Sequence, residues 1–313
     1  MFQLVEQRRW YFLLSAIIIS AGLIAMIFST ITTGAPFKLA IDFTGGSIWR
    51  LSFPQAIQPA DLREVFVDAG YGDTAVTTVG AGGTTLQVRT KEIDDESKVA
   101  LMATLRETFG EVREEQFSSV GPAIGQEVTR AAVIAVIAAS LAILLFLMVA
   151  FRKVSHPVRY GVSALAAMLH DILGTVGVFS IMSLLFGWEA DALFLTALLT
   201  VIGFSVQDKI VVFDRIRENS PKYRGEPFAA IANRSLLETL HRSLATQLNA
   251  LFIMAALLLF GGATIKQFIA VMFYGLVSGT YSSIFNAVPL LVAWEEKDFL
   301  GIKRRRREAA RAA

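Results

Sequence analysis

The sequence predicts a polytopic α-helical membrane protein. It should have six transmembrane helices and one small α+β domain inserted between the first and the second. Of the 313 residues, 54% are hydrophobic and mean hydropathy is +0.54, where a soluble domain has roughly 45–50% apolar residues. The excess is gathered into six long runs. Between the first two runs, about 90 residues switch to short alternating and helical patterns, enough for one small folded domain.

The runs cover residues 10–32, 129–151, 158–186, 190–213, 244–260 and 267–294. Each is near or above the roughly 18 residues that a span requires. Arg8 and Arg9 precede the first, as in a signal peptide. Its apolar stretch is too long for one and no clean small-x-small site follows, so an uncleaved anchor is expected. Lys and Arg then set the orientation. They sit at Arg8 and Arg9, at Arg152, Lys153 and Arg159, in a charged loop after the fourth span (Arg215, Arg217, Lys222, Arg224, Arg234), and at Lys303 to Arg307. The alternate turns carry none at 187–191 and only Lys266 near Gly261. Both termini are therefore expected in the cytoplasm and the inserted domain outside. The expected organisation is 1–32 for the N-terminal segment and first helix, 33–127 for the inserted domain, 128–294 for helices two to six, and 295–313 for a basic tail. The tail run reads as a topology anchor on the anionic leaflet rather than a nucleic-acid site.

Within the insertion, SIWRLSF (47–53) alternates as a strand does. Residues 59–69 have helical spacing, with Leu62, Val65 and Phe66 on one side. Strands follow at 75–79 and 84–89, joined by a Gly-rich turn at 80–83. A second helix spans 94–109, with Val99, Met102, Leu105 and Phe109 as its apolar face. A strand at 111–120 closes a β-α-β-β-α-β order, the ferredoxin-like arrangement. The segment has no His and no Cys, and its glycines do not precede a helix as a phosphate loop would. Its expected role is contact with another protein.

The absence of Cys excludes disulfides, thiolate metal sites and a Cys nucleophile. The three His (156, 170, 241) are too scattered for a metal cluster. With no hydrolase motif, nucleotide loop or redox site, no enzyme and no cofactor is expected.

The chemistry lies in the spans. Asp208 stands in apolar sequence in the fourth, where an ionised group costs roughly 2.5–3.5 kcal/mol by insertion scales. It is the first candidate for function. Phe204, Ser205, Val211 and Val212 share its helix face. Lys209 points about 100° away and is expected to snorkel to the cytoplasmic interface. Arg242 enters the fifth span at similar depth and reads either as an interface anchor or as a partner for Asp208. His170 and Asp171 lie near the middle of the third span, as a proton relay or as polar contacts to a neighbouring helix. Gln207, Thr246, Gln247 and Asn249 suggest a hydrated interior face. Gly174 and Gly177, and Gly275 and Gly279, read as helix-packing notches.

Five motifs follow in order: IDFTGGSIWRL (41–51), VGPAIGQEV (120–128), LHDILGTVGVFS (169–180), IGFSVQDKIVVFDRIREN (202–219) and ETLHRSLAT (238–246). Together they resemble the SecF family of protein-export subunits across nearly the whole chain. The resemblance implies a half-transporter of the resistance–nodulation–division type in the bacterial cytoplasmic membrane. Its implied partners are SecD, the SecYEG channel, YajC, YidC and the translocating preprotein. By motif position it implies a proton-carrying Asp208, with Arg242 as alternating partner, a third-span acid at Asp171, and a motif outside the first span with Asp42, Gly45 and Gly46. The family usually carries Asn-Asp-Thr where this chain has Gln207-Asp208-Lys209. A small-molecule exporter of the same superfamily is a rival, weakened by the single outer domain. A scaffold whose polar residues only join helices is another.

Overall fold

The computed structural model describes residues 3–298, apart from 81, 153 and 155; side chains at 263 and 264 are also left aside. The basic tail and Lys153 lie outside the described residues. The chain divides into two compact units, 39–133 and the remainder.

Six helices are long and apolar enough to cross a membrane: Val5–Thr33, Pro122–Ala150, Pro157–Phe186, Ala192–Lys222, Phe228–Phe260 and Ile265–Glu295. In chain order the elements are α1 (Arg8–Thr33), β1 (Gly46–Ser52), α2 (Pro59–Asp68), β2 (Ala75–Thr78), β3 (Thr85–Thr90), α3 (Asp95–Phe109), β4 (Arg113–Val120), α4 (Pro122–Ala150), α5 (Pro157–Phe186), α6 (Ala192–Lys222), α7 (Phe228–Phe260), α8 (Ala263–Ser282) and α9 (Val288–Glu295).

In the 39–133 unit, β1 to β4 form an antiparallel sheet in the order β2-β3-β1-β4. Burial alternates along β3, with Leu86 and Val88 inward, as the pleat requires. The core gathers Trp49, Leu51, Leu62, Phe66, Leu86, Val88, Leu101 and Leu105. Trp49 meets Phe66 edge to face at 6.1 Å between ring centroids and Phe117 at 5.2 Å, the geometry that ring quadrupoles favour. On α3, Met102, Leu105 and Phe109 pack on the core as expected, and Val99 does not. Leu101 and Leu105 are inside and Val99 is 71% exposed, because the 3.6-residue period places Lys98, Leu101, Met102 and Leu105 toward the sheet. Asp94 caps α3 by accepting from the Ser97 N–H at 2.7 Å, which holds its carboxyl below the usual carboxylate range.

The Gly45-Gly46 pair has a backbone reason. Both have positive φ, +71° and +110°. A Cβ on Gly45 would lie 2.8 Å from Pro122 Cα, and one on Gly46 would lie 2.7 Å from the Thr90 carbonyl. A Cβ on Gly125 would lie 2.7 Å from the Gly45 nitrogen. The first two sequence motifs therefore pack on each other through glycine.

The helical bundle inverts this pattern. Its outward ridges are apolar: Ile24, Phe28, Leu145, Phe146, Phe252 and Phe260 are exposed. Its inner contacts use small residues, as lipid-embedded helices do. The buried stripe of α1 contains Ser15, Gly22, Ala25 and Ser29, and Gly22 abuts Gly177 of α5 so closely that either Cβ would meet backbone at 2.7 Å or less. Gly275 of α8 makes room for the Val201 side chain of α6. Between α8 and α9 the helix makes one π turn, Ser283–Ala287. Pro289 follows it, lacking an N–H for the regular ladder.

The segment expected as a charged loop after the fourth span is helical instead. α6 runs to Lys222, and Arg215 and Arg217 lie on it. Arg215 pairs with Glu218 at 2.8 Å and with Glu238 of α7, and Arg217 pairs with Asp214 at 2.7 Å. Asn219 donates to Ser235 at 3.0 Å. Facing charges and amides satisfy the helix surfaces where apolar contact stops. Arg8, read from sequence only as a topology signal, is buried against Glu296 and Asp298.

Candidate intramembrane charge site

The interior of the bundle holds two carboxylates in unlike surroundings. Asp171 of α5 is fully buried. Its Oδ2 accepts from Ser205 Oγ at 2.6 Å, Lys209 Nζ at 2.9 Å and Ser282 Oγ at 2.6 Å. Its Oδ1 accepts from Ser278 Oγ at 2.8 Å and faces His170 Nδ1 at 3.1 Å. Helical spacing assembles this shell. Ser205 and Lys209 are four apart on α6, as Ser278 and Ser282 are on α8, so each pair shares a face. Gly279 of α8 faces this shell: a Cβ there would make ordinary contacts, 3.4 Å from Ser205 Cα and 3.9 Å from Asp171 Oδ2.

Lys209 corrects the sequence expectation. It does not snorkel. Its side chain is fully buried, and Nζ donates to Asp171 Oδ2, to Ser205 Oγ at 2.7 Å and to the Ser205 carbonyl. Snorkelling relieves desolvation only by reaching water. Here three acceptors on the inner face satisfy all three ammonium protons without that reach.

Asp208, the next residue back, is also buried, at 4% exposure. Its Oδ2 accepts from Gln247 Nε2 of α7 at 2.7 Å, and Ser243, one turn earlier on α7, is buried on the same face. Among the described residues no Lys or Arg forms an ion pair with Asp208. Arg242 is exposed and is not brought to it, because it sits one residue, about 100°, from the Ser243–Gln247 face. Gln207 is exposed too. His170 is buried with its ring near Tyr281, 6.0 Å between centroids, and its Nε2 has no hydrogen-bond partner.

Sequence reasoning found Asp171, Asp208 and Gln247 but missed Ser278, Ser282 and Ser243. Two serines four apart in an apolar span are the signal that could have revealed the first two, since such hydroxyls join helices in lipid.

The comparisons with known proteins agree with this architecture. The model for the family "Protein export membrane protein SecD/SecF, C-terminal" matches residues 100–297. A protein translocase subunit SecF from Thermobaculum terrenum is 47% identical over 322 residues, covering all of both chains. One from Anaerolinea thermophila is 45% identical, covering 96% of each. The crystal structure of SecDF, a translocon-associated membrane protein from Thermus thermophilus, superposes with a TM-score of 0.75 at 33% identity. That match covers 94% of this chain and 39% of the SecDF chain. With a family model over more than half its length and full-length relatives, this chain belongs to the SecF family of protein translocase subunits.

Proposed function

We propose that this chain pairs with SecD in the bacterial cytoplasmic membrane and uses the proton-motive force to help preproteins complete export through the SecYEG channel. Family membership supports the place in protein translocation, and the likeness to SecDF supports SecD as partner. The Lys and Arg distribution supports cytoplasmic termini. The strand order β2-β3-β1-β4, antiparallel throughout, supports a ferredoxin-like 33–127 domain on the outer face, available to preprotein. YajC and YidC are the further partners that the resemblance implies.

The observation that carries proton coupling is the environment of Asp208: a buried carboxylate, held by one amide, with no ion pair among the described residues. A carboxylate without an ion pair can exchange a proton without leaving a buried cation behind, and charge in hydrocarbon is retained for function. Arg242 is the alternating partner. A turn of about 100° of α7 about its axis exchanges the Ser243 face for Arg242. Asp171, the third-span acid of the motif, belongs to the same site.

The test is Asp208→Asn in the full chain, reconstituted with SecD and the channel. Export driven by a proton gradient should fall to background while copurification with SecD persists. Undiminished proton-driven export would leave the chain as a scaffold.

A further inference from the structure

We propose that Asp171 and Lys209 are a permanently ionised clamp that positions α6, and with it Asp208, rather than a second proton site. The inference rests on the reading of Asp208 as proton carrier and specifies what surrounds it.

An ionised carboxylate offers about four lone-pair sites. Asp171 accepts from four donors, Ser205 and Lys209 of α6 and Ser278 and Ser282 of α8, and faces the His170 Nδ1 of α5. A protonated Asp171 would present a neutral group to Lys209, which carries its charge into the same pocket and cannot accept a hydrogen bond. Lys209 in turn has each ammonium proton engaged, on Asp171 and on two atoms of Ser205. Ser205 closes the set by accepting from Lys209 and donating to Asp171. The groups that face the carboxylate are His170 from α5, Ser205 and Lys209 from α6, and Ser278 and Ser282 from α8, with Tyr274 of α8 close enough to interact with it electrostatically. None is another carboxylic acid. A proton delivered to Asp171 would therefore strand a fully buried ammonium, which is costly unless its partner stays charged.

The clamp ties α5, α6 and α8 into one body. By contrast Asp208 reaches α7 through neutral groups, the Gln247 amide and the Ser243 hydroxyl beside it, with no ion pair among the described residues. Protonation of Asp208 can then release α7 while the other three helices keep their register. On this reading Asp208 carries the proton and α7 is the element that moves.

The experiment compares Asp171→Asn, Lys209→Met and the double variant in the full chain with SecD, reading proton-driven export. Each single variant should lose about tenfold or more, because it leaves one buried charge unpaired. The double variant should return to within about threefold of the parent, because a buried pair removed together costs little. A double variant that assembles with SecD and is as inactive as either single one overturns the proposal, as does full activity of Asp171→Asn alone. If the variants fail to assemble, the carboxyl ¹³C resonance of Asp171 in the unaltered chain decides. It should stay at the ionised position between about pH 5 and 8, where physiological proton carriers titrate. A titrating resonance overturns the clamp. Persistence of proton-driven export in Asp208→Asn would instead refute the carrier reading, and the Asp171 resonance would still decide this one.

Discussion

Trp49 and Lys209 are both fully buried, one in the 39–133 unit and one in the helical bundle, and different forces hold them. Trp49 is inside because water expels it. It sits among Leu51, Phe66 and Val88 and needs only one polar contact, from Nε1 to Glu114. Lys209 has no such drive, since the surroundings of the bundle are themselves apolar. It is inside because Asp171 and Ser205 offer acceptors that lipid lacks. The contrast extends to packing. The 39–133 unit fills its core with large rings and branched chains, whereas the bundle brings backbones together at Gly22 and Gly177. A fold in water is selected by what it hides, and a fold in lipid by how closely helices approach and which polar groups they satisfy.

Substitutions of one kind in each region would test that contrast. The largest expected effect is in the 39–133 unit, where Phe66→Ala opens a cavity beside Trp49. It should cost about 3–5 kcal/mol, read as faster amide exchange across β1 to β4 in the full chain, with exchange in α5 and α6 unchanged. Equal acceleration in both regions would show that they do not unfold separately. Smaller is Gly22→Ala in the bundle. Its Cβ would meet the Gly177 backbone, an overpacking worth about 1–3 kcal/mol, seen as reduced thermal stability in bilayers. An unchanged stability would mean that α1 is not held by close approach.

Smallest is Asp94→Ala. The Asp94 carboxyl is held below its usual value by the Ser97 N–H, so its stabilisation is full above the ordinary value near 3.8 and is lost as pH falls through the lowered folded value. Amide exchange in the first turn of α3 should be faster in the variant at neutral pH, and the parent should match it in acid. A difference that persists in acid would mean that the cap does not act through its charge.

The positions of the six spans were legible in the sequence because long apolar runs have few alternatives. The strands at 46–52 and 85–90 were legible because alternation is a local signal. The ends of α6 and α7 were not. Arg215, Asn219, Ser235 and Glu238 look like loop residues until the two helices are placed side by side, where they pair across the gap. The same holds for Lys209. Its sequence neighbours say only that it is near an interface, and its direction is decided by Asp171, 38 residues earlier, and by the α8 serines that complete the shell. Val99 failed for a smaller reason: Met102, Leu105 and Phe109 pack as the spacing predicts, but the sheet covers the side that carries Leu101 and leaves Val99 at its edge.

The uninterrupted course of α6 has a mechanical consequence. From Asp208 to Lys222 the helix runs on for about 21 Å, braced along the way by the Arg215–Glu238 pair and the Asn219 amide. α6 is therefore a rail along which α7 is held at three levels, by Asp208 with Gln247, by Arg215 with Glu238, and by Asn219 with Ser235. A shift of α7 that begins at Asp208 has to re-form contacts about 10–16 Å away along that rail.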